Sequence, residues 1–369
     1  MSHKKNIAVI FGGRSGEHEV SLMSARSVLS VLDPNQFNII EIGITQSGIW
    51  LTGEHVVDAL EAKSFDHLLP VALLPAPLGG QLYAIKDMQL VPLAKIDMVF
   101  PVLHGSFGED GSIQGLFELA DVAYVGCGVL ASSVGMDKSL FKDVMRAHQI
   151  PVVDSVLFTR YHIHTGINET MNEIEKTLPY PVFIKPVNMG SSVGITKCSS
   201  RSSLMEGLMD AARFDRRVLI ERGVNARELE VSVLGNEDPI ASVVGEVLPS
   251  AEFYTYDAKY LDSESKLIIP ANLDDETSAK VRRTAIQAFK AIDGAGMARV
   301  DFLLDRNSGE LYVSEINTIP GFTSISMYSK LWEASGISYS ELVSRLIDLA
   351  EERKLTRDAT ERTYDRSKG

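Results

Sequence analysis

The chain has 369 residues, 45% of them hydrophobic, enough for two or three domains with cores of their own and no disulfide staples. Thirty-six basic against forty-nine acidic residues give a net charge of −13, which argues against nucleic acid or an anionic membrane as partner and still allows a local phosphate pocket. Two cysteines, Cys127 and Cys198, lack metal-type spacing, no apolar run approaches the ~20 residues of a membrane span, and no signal-peptide core follows Met1 to Asn6, so a reducing, cytoplasmic setting is expected.

A strand at Ile7 to Phe11, a glycine turn at Gly12-Gly13-Arg14-Ser15-Gly16, a helix from Ser21 to Leu32 and a strand from Phe37 to Ile44 make an α/β opening. The turn invites a dinucleotide-binding oxidoreductase, but the G-x-G-x-x-G fingerprint is missing, and Glu17-His18-Glu19 would face a pyrophosphate badly. A carboxylate opening a helix suits a substrate ammonium, and Glu19 is the candidate; its plainer role is to complement the helix dipole. A buried strand from Ile96 to Leu103 ends in the loop His104 to Gly111, at the strand end where open α/β sheets bind ligands. His104 there orients a substrate or serves only a local hydrogen bond.

The pattern turns small and glycine-rich at Gly126 to Met136, before a helix at Asp137 to His148, and an N-terminal domain is placed at residues 1–128. Residues 129–221 hold strands at Val153 to Phe158, Pro181 to Lys185 and Val218 to Glu221 and helices near Met171 to Leu178 and Ser202 to Ala212, an α+β unit. Its segment Lys185 to Gly194 carries a lysine, Ser191, Ser192 and two glycines, and reads either as a mobile phosphate cover or as a plain hairpin turn. Residues 222–353 hold strands at Glu228 to Leu234, Ile240 to Val247, Met297 to Leu304 and Glu310 to Glu315, a helix at Ser278 to Ala291 and an amphipathic helix at Tyr339 to Arg353. The aromatic and charged stretch Ser250 to Glu264 is a loop that can exclude water from a site, or a surface loop. A polar tail, 354–369, is expected to fray.

The densest chemistry sits at two strand ends. Arg299 and Asp301 are two residues apart, as are Glu315 and Asn317, so on extended backbone each pair projects to one face. Two carboxylates and an amide oxygen are the ligand types of a hard divalent cation, and Mg²⁺ leaves its remaining positions to water and substrate phosphates. A neighbouring arginine then meets developing phosphoryl charge. Carboxylates also end many strands without binding anything, and of Glu228 and Glu230, which share a face, one suits a ribose and the other plain solvation.

Together, Gly16-Glu17-His18-Glu19-Val20-Ser21, His104 to Gly111, Gly190-Ser191-Ser192-Val193-Gly194, Ala258-Lys259-Tyr260 and Glu315-Ile316-Asn317-Thr318-Ile319-Pro320-Gly321 resemble, in order and spacing, the D-alanine:D-alanine ligases of the ATP-grasp superfamily. The resemblance spans nearly the whole chain. It implies an α/β fold, α+β in parts, with three domains: a Rossmann-like N-terminal domain and a two-part ATP-grasp unit holding ATP. It places Lys138 and Lys185 on the ATP phosphates, Glu221 and Glu228 on adenine and ribose, and Ser191, Ser192 and Lys259 among the nucleotide contacts. Asp301, Glu315 and Asn317 become ligands of two Mg²⁺, with Mn²⁺ as an alternative.

It further implies that Glu19, linked to Ser191 and Tyr260, holds the first D-alanine. Arg299 and the N–H of Gly321 flank the tetrahedral intermediate, and Ser326 and Met327, with His104, line substrate pockets. Tyr260 favours an amine over D-lactate as second substrate, and a homodimer is implied. Rival expectations are another ATP-grasp carboxylate ligase and a nucleotide-binding regulator without turnover; Arg299 and the metal-type set argue against the regulator.

Overall fold

The computed structural model describes residues 4–190, 193–248 and 266–361, organised by three sheets. The first contains β1 (Lys5–Gly12), β2 (Phe37–Ile44), β3 (Trp50–Thr52), β4 (Leu69–Leu73), β5 (Gln81–Lys86), β6 (Gln89–Lys95), β7 (Met98–Val102) and β8 (Ala123–Tyr124), in the order β6-β5-β4-β3-β2-β1-β7-β8. β1 is parallel to both β2 and β7, and its run Ile7 to Gly12 is buried throughout, as expected of a parallel strand covered on both faces. The four short strands β3 to β6 are antiparallel and were not expected: Pro70, Pro92 and the Gly79-Gly80 turn interrupt them, and β6 is largely exposed.

Helix α1 (His18–Leu29) starts three residues before the expected Ser21 and buries His18, Val20, Ser21, Leu22, Ser24, Ala25 and Val28, one helical face. It follows β1 as α2 (Val56–Ala62) follows β3, and α3 (Ser112–Leu119) precedes β8. Helices α4 (Val129–Met136) and α5 (Lys138–Ala147) then lead out of this sheet, α5 being capped by Asp137, whose carboxylate accepts from the N–H groups of Ser139 and Leu140.

The second sheet is antiparallel, β11-β10-β12-β9, built from β9 (Ser155–Thr159), β10 (Val182–Pro186), β11 (Thr196–Cys198) and β12 (Arg217–Arg222). Helices α6 (Arg160–Thr165), α7 (Ile167–Thr177) and α8 (Arg201–Phe214) cover one face of it, and Ile163, Ile174, Leu204 and Leu208 are fully buried in that core.

The third sheet runs β16-β15-β13-β17-β18, from β13 (Ala226–Gly235), β14 (Ile240–Ala241), β15 (Gly245–Leu248), β16 (Lys266–Ile268), β17 (Gly296–Asp305) and β18 (Leu311–Asn317), with β14 paired to β13. The single strand expected at Ile240 to Val247 is split where side chains take over part of the ladder: the Ser242 N–H still bonds to the Ser232 carbonyl, but the Ser242 hydroxyl accepts from the Ser232 N–H and the Ser335 hydroxyl from the Val243 N–H. Helix α9 (Asp275–Ala291) packs Val281, Ala285, Ala288 and Phe289 on one face of this sheet, which leaves the other face for chemistry.

The last helices, α10 (Met327–Ala334) and α11 (Tyr339–Asp358), share one core with the first sheet: Phe322, Tyr328, Trp332 and Leu346 are buried with Ile7, Phe100 and Val102. The tail expected to fray from Lys354 instead continues α11 to Asp358. Its cations meet acidic partners there, Lys354 lying 3.1 Å from Asp121 and Arg357 donating to Glu118 at 2.7 Å, just after Arg353 stacks 4.0 Å from the Tyr124 ring centroid. N-terminal and C-terminal parts are thereby joined around the cleft where β7 and β18 end and β17 begins.

Candidate active site

Register places the polar set. β17 and β18 pair Arg299 with Asn317 and Asp301 with Glu315, and β13 brings Glu230 opposite Asp301, so all five side chains rise from the face that α9 does not cover. Val300 and Ile316, one residue on, point into the α9 core. A register shift just after Asp301 interrupts the ladder beside the polar set before pairing resumes at Phe302 and Val313. Arg299 forks onto Asp301 through two bonds of 2.7 Å and lies 3.0 Å from Glu230, while the Asn317 amide donates to Asp301 at 3.1 Å. Burial works against its charge, but Asp301 and then Glu230 raise the Arg299 guanidinium well above its ordinary range, so it remains a cation.

A second wall comes from the first sheet. Glu17 immediately precedes α1 and is buried; a Cβ on Gly105 would lie 2.6 Å from its Oε2, and one on Gly190 would lie 2.9 Å away. Glycine on both loops thus leaves room for this carboxylate, which a side chain at either would push aside, and Gly105 also adopts φ +75°, a conformation that favours glycine. Glu109 accepts from the Gly105 N–H at 2.8 Å, and burial, reinforced by Glu17, raises its carboxyl well above the usual range. His104 contacts the Ile319 carbonyl through Nδ1 at 3.1 Å and the Ser24 hydroxyl through Nε2 at 3.0 Å. A carbonyl only accepts, so Nδ1 carries the proton and Nε2 accepts from Ser24, a neutral imidazole consistent with the pKa that burial lowers.

The cations form a third group. Lys138, at the start of α5, donates to the Met189 carbonyl at 2.7 Å. Lys185 on β10 pairs with Glu221 Oε2 at 2.6 Å, and Lys142 on α5 pairs with Oε1 at 2.9 Å. Burial alone would raise the Glu221 carboxyl, yet Lys142 and Lys185 hold it down to about 2. One cavity is lined by Glu17, Glu109, Lys138, Arg299, Glu315 and Asn317, together with Gly321, Ser326 and Met327 from the turn after β18 and the start of α10. Its lining thus brings carboxylates, an ammonium and a guanidinium together.

Models of the D-ala D-ala ligase N-terminus and C-terminus match residues 6–127 and 144–348. The D-alanine–D-alanine ligase of Heliobacterium modesticaldum is 51% identical over 361 residues, covering 97% of this chain and 98% of that protein. The chain belongs to the D-alanine–D-alanine ligase family. The corresponding ligase of Acetivibrio thermocellus is 48% identical, over 96% of this chain and 97% of its own. Among solved structures, the VanG D-Ala:D-Ser ligase from Enterococcus faecalis superposes with a TM-score of 0.85 at 38% identity, over 94% of this chain and all of its own. The D-alanine-D-alanine ligase from Coxiella burnetii gives 0.82 at 33%, over 97% of each chain. The expected fold, an N-terminal α/β domain followed by an ATP-grasp unit, and the expected ligase class are therefore those of this family.

Family membership frames where the expected residues lie. Lys138, Arg299, Glu315, Asn317, Gly321, Ser326, Met327 and His104 line the one cavity, and Asp301 adjoins it through Arg299. Glu19 does not: it lies on the exposed face of α1, because the helix begins at His18 and turns that side chain outward, whereas Glu17 lines the cavity. Glu221 is enclosed by two lysines, and Glu228 is half-buried on β13. Glu230, for which solvation was one expectation, is instead buried against Arg299. Ser191, Ser192, Lys259, Tyr260 and the Ser250 to Glu264 loop lie outside the described residues. Sequence reasoning passed over Glu17, Glu109 and Lys142. A helix started at His18 would have shown the first, and the four-residue spacing of Lys142 from Lys138 the last.

Among the described residues no helix is long and apolar enough to cross a membrane.

Proposed function

We propose that the chain joins two molecules of D-alanine into D-alanyl-D-alanine, a precursor for the cell wall, with ATP converted to ADP and phosphate. The observation that carries this is the single cavity in which Glu17, Arg299, Gly321 and Lys138 meet. In this mechanism Glu17, rather than Glu19, holds the ammonium of the first D-alanine. The carboxylate of that substrate attacks the γ-phosphate of ATP, whose phosphates Lys138 and Lys185 hold, and an acyl phosphate forms as ADP leaves. The amine of the second D-alanine, held near Ser326 and Met327, attacks the acyl carbon, and phosphate leaves. Arg299 and the Gly321 N–H take up charge on the oxygen of the tetrahedral intermediate. No protein nucleophile is required; the chain supplies proximity, charge and exclusion of water.

Among the described residues no group of three or more His, Cys, Asp or Glu side chains forms a metal cage. The oxygen set nonetheless fits Mg²⁺ or Mn²⁺, since Asp301 and Glu315 face each other across paired strands and Asn317 adds an amide oxygen once its amide is turned over. Asp301, Glu315 and Asn317 would hold two such ions, which supply charge neutralisation on the phosphate oxygens. Glu315→Gln is expected to raise the Mg²⁺ concentration for half-maximal rate at least about tenfold; an unchanged Mg²⁺ titration removes Glu315 from that role. A division at residues 128 and 221, a cytoplasmic location and a homodimer complete this reading.

The functional test is phosphate release and product mass for the purified enzyme with ATP and Mg²⁺. D-Alanine alone should give D-alanyl-D-alanine at least as fast as D-alanine with D-serine or D-lactate gives the mixed product. Turnover confined to one of the mixtures would move the second substrate to D-serine or D-lactate, and no phosphate release under any condition would leave a nucleotide binder.

A further inference from the structure

Lys142 is a buried charge for which the mechanism above has no use. Its side chain is 1% exposed, it lies one helical turn after Lys138, and its ammonium has Glu221 Oε1 at 2.9 Å. Lys185 takes the other oxygen of the same carboxylate at 2.6 Å and is 15% exposed. Two buried ammonium groups share one carboxylate, and a buried charge is costly unless it is paired. A single lysine would satisfy Glu221. The second becomes useful when the first is drawn away, and Lys185, the more exposed of the two, is the one within the field of Glu315 and Glu228 across the cleft. A triphosphate entering there competes with Glu221 for Lys185.

We propose that Lys142 is a positioning residue for the nucleotide: it is the permanent counter-ion of Glu221, releasing Lys185 to the phosphates and keeping the Glu221 carboxylate fixed as acceptor for the exocyclic amine of the purine. This rests on Glu221 being the base contact. The helix makes the division of labour possible. Lys138 and Lys142, four residues apart on α5, address the phosphate end and Glu221 respectively. Burial lowers the Lys142 pKa while Glu221 opposes it, as for an ammonium retained only by its partner. A purine with an oxygen in place of that amine presents an acceptor to the carboxylate and is rejected.

The test is the ratio of kcat/KM for ATP to that for ITP, at saturating D-alanine, in wild type and in Lys142→Met, Lys142→Gln and Glu221→Gln. With Lys142→Met, Lys185 stays bound to Glu221, so KM for ATP should rise about tenfold while kcat changes much less, and the ATP/ITP ratio should fall by a similar factor. A merely structural role would lower the melting temperature and active fraction but leave that ratio unchanged. Lys142→Gln, which keeps a donor for Glu221, should recover part of the ratio and is the second variant should the methionine protein not fold. If Glu221→Gln collapses the ratio but neither folded Lys142 variant does, the proposal is overturned. If Glu221→Gln itself leaves the ratio intact, the base-contact assignment fails first and the role of Lys142 built on it falls with it.

Discussion

Replacing Arg299 by alanine is expected to lower kcat by about 10²–10³-fold, the loss seen when one donor to a developing oxyanion is removed. The site geometry makes the guanidinium hard to substitute. It is buried, it forks onto Asp301 through two bonds of 2.7 Å, and it lies 3.0 Å from Glu230, so its plane and height above the sheet are set before any substrate arrives. Lysine keeps the charge but not the fork, and Arg299→Lys should recover little of the rate. Because the interaction is strongest in the transition state, kcat and kcat/KM should fall together. Alanine also leaves Asp301 and Glu230 without their shared cation. Breaking a buried pair on one side costs on the order of 3–5 kcal/mol, so steady-state rates must be taken with a thermal unfolding curve and normalised to folded protein. A folded Arg299→Ala enzyme with near-wild-type kcat would end the role assigned to this residue.

What could be read from the sequence follows the physics of each element. The β17–β18 set was legible because period two is short and unambiguous: Arg299 with Asp301 and Glu315 with Asn317 are pairs on any extended backbone, and antiparallel pairing brings them together. β1 and β7 were legible as unbroken apolar runs of a sheet covered on both faces. β3 to β6 were not, since short strands interrupted by proline and glycine, with one face in water, carry almost no hydrophobic period. The extension of α11 through Lys354 and Arg357 was hidden because what orders those residues is Glu118 and Asp121, more than two hundred positions away. Glu230 illustrates the same limit: on its own strand it reads as a ribose contact or a solvated charge, and only its tertiary partner Arg299 shows it buried. For Lys142 the spacing from Lys138 gives the shared helix face, but its burial follows from Glu221 in a distant segment.

Which carboxylate faces the cleft, Glu17 or the Glu19 expected from the sequence, depends on where α1 begins, and it carries the second large effect. Two residues along a helix differ by about 200° in direction, so only one of two carboxylates with that spacing can face the cleft. With the helix beginning at His18, that one is Glu17, enclosed by glycines from the loop after β7 and the loop after β10. Glu17→Gln keeps the shape and removes the charge that would hold an ammonium, and kcat/KM for D-alanine should fall about 10–100-fold, the range of a buried hydrogen bond to a charged group. Glu19→Gln, on the exposed face, should change it by no more than roughly twofold. Both variants should unfold near the wild-type temperature, since glutamine keeps the shape of the acid it replaces at each position. If Glu19→Gln showed the larger loss, the ammonium site would return to Glu19 and α1 would have to begin elsewhere in the working enzyme. With the expected order, the first-substrate site is defined by the loop glycines Gly105 and Gly190 as much as by the acid, because any side chain at either would displace the carboxylate between them.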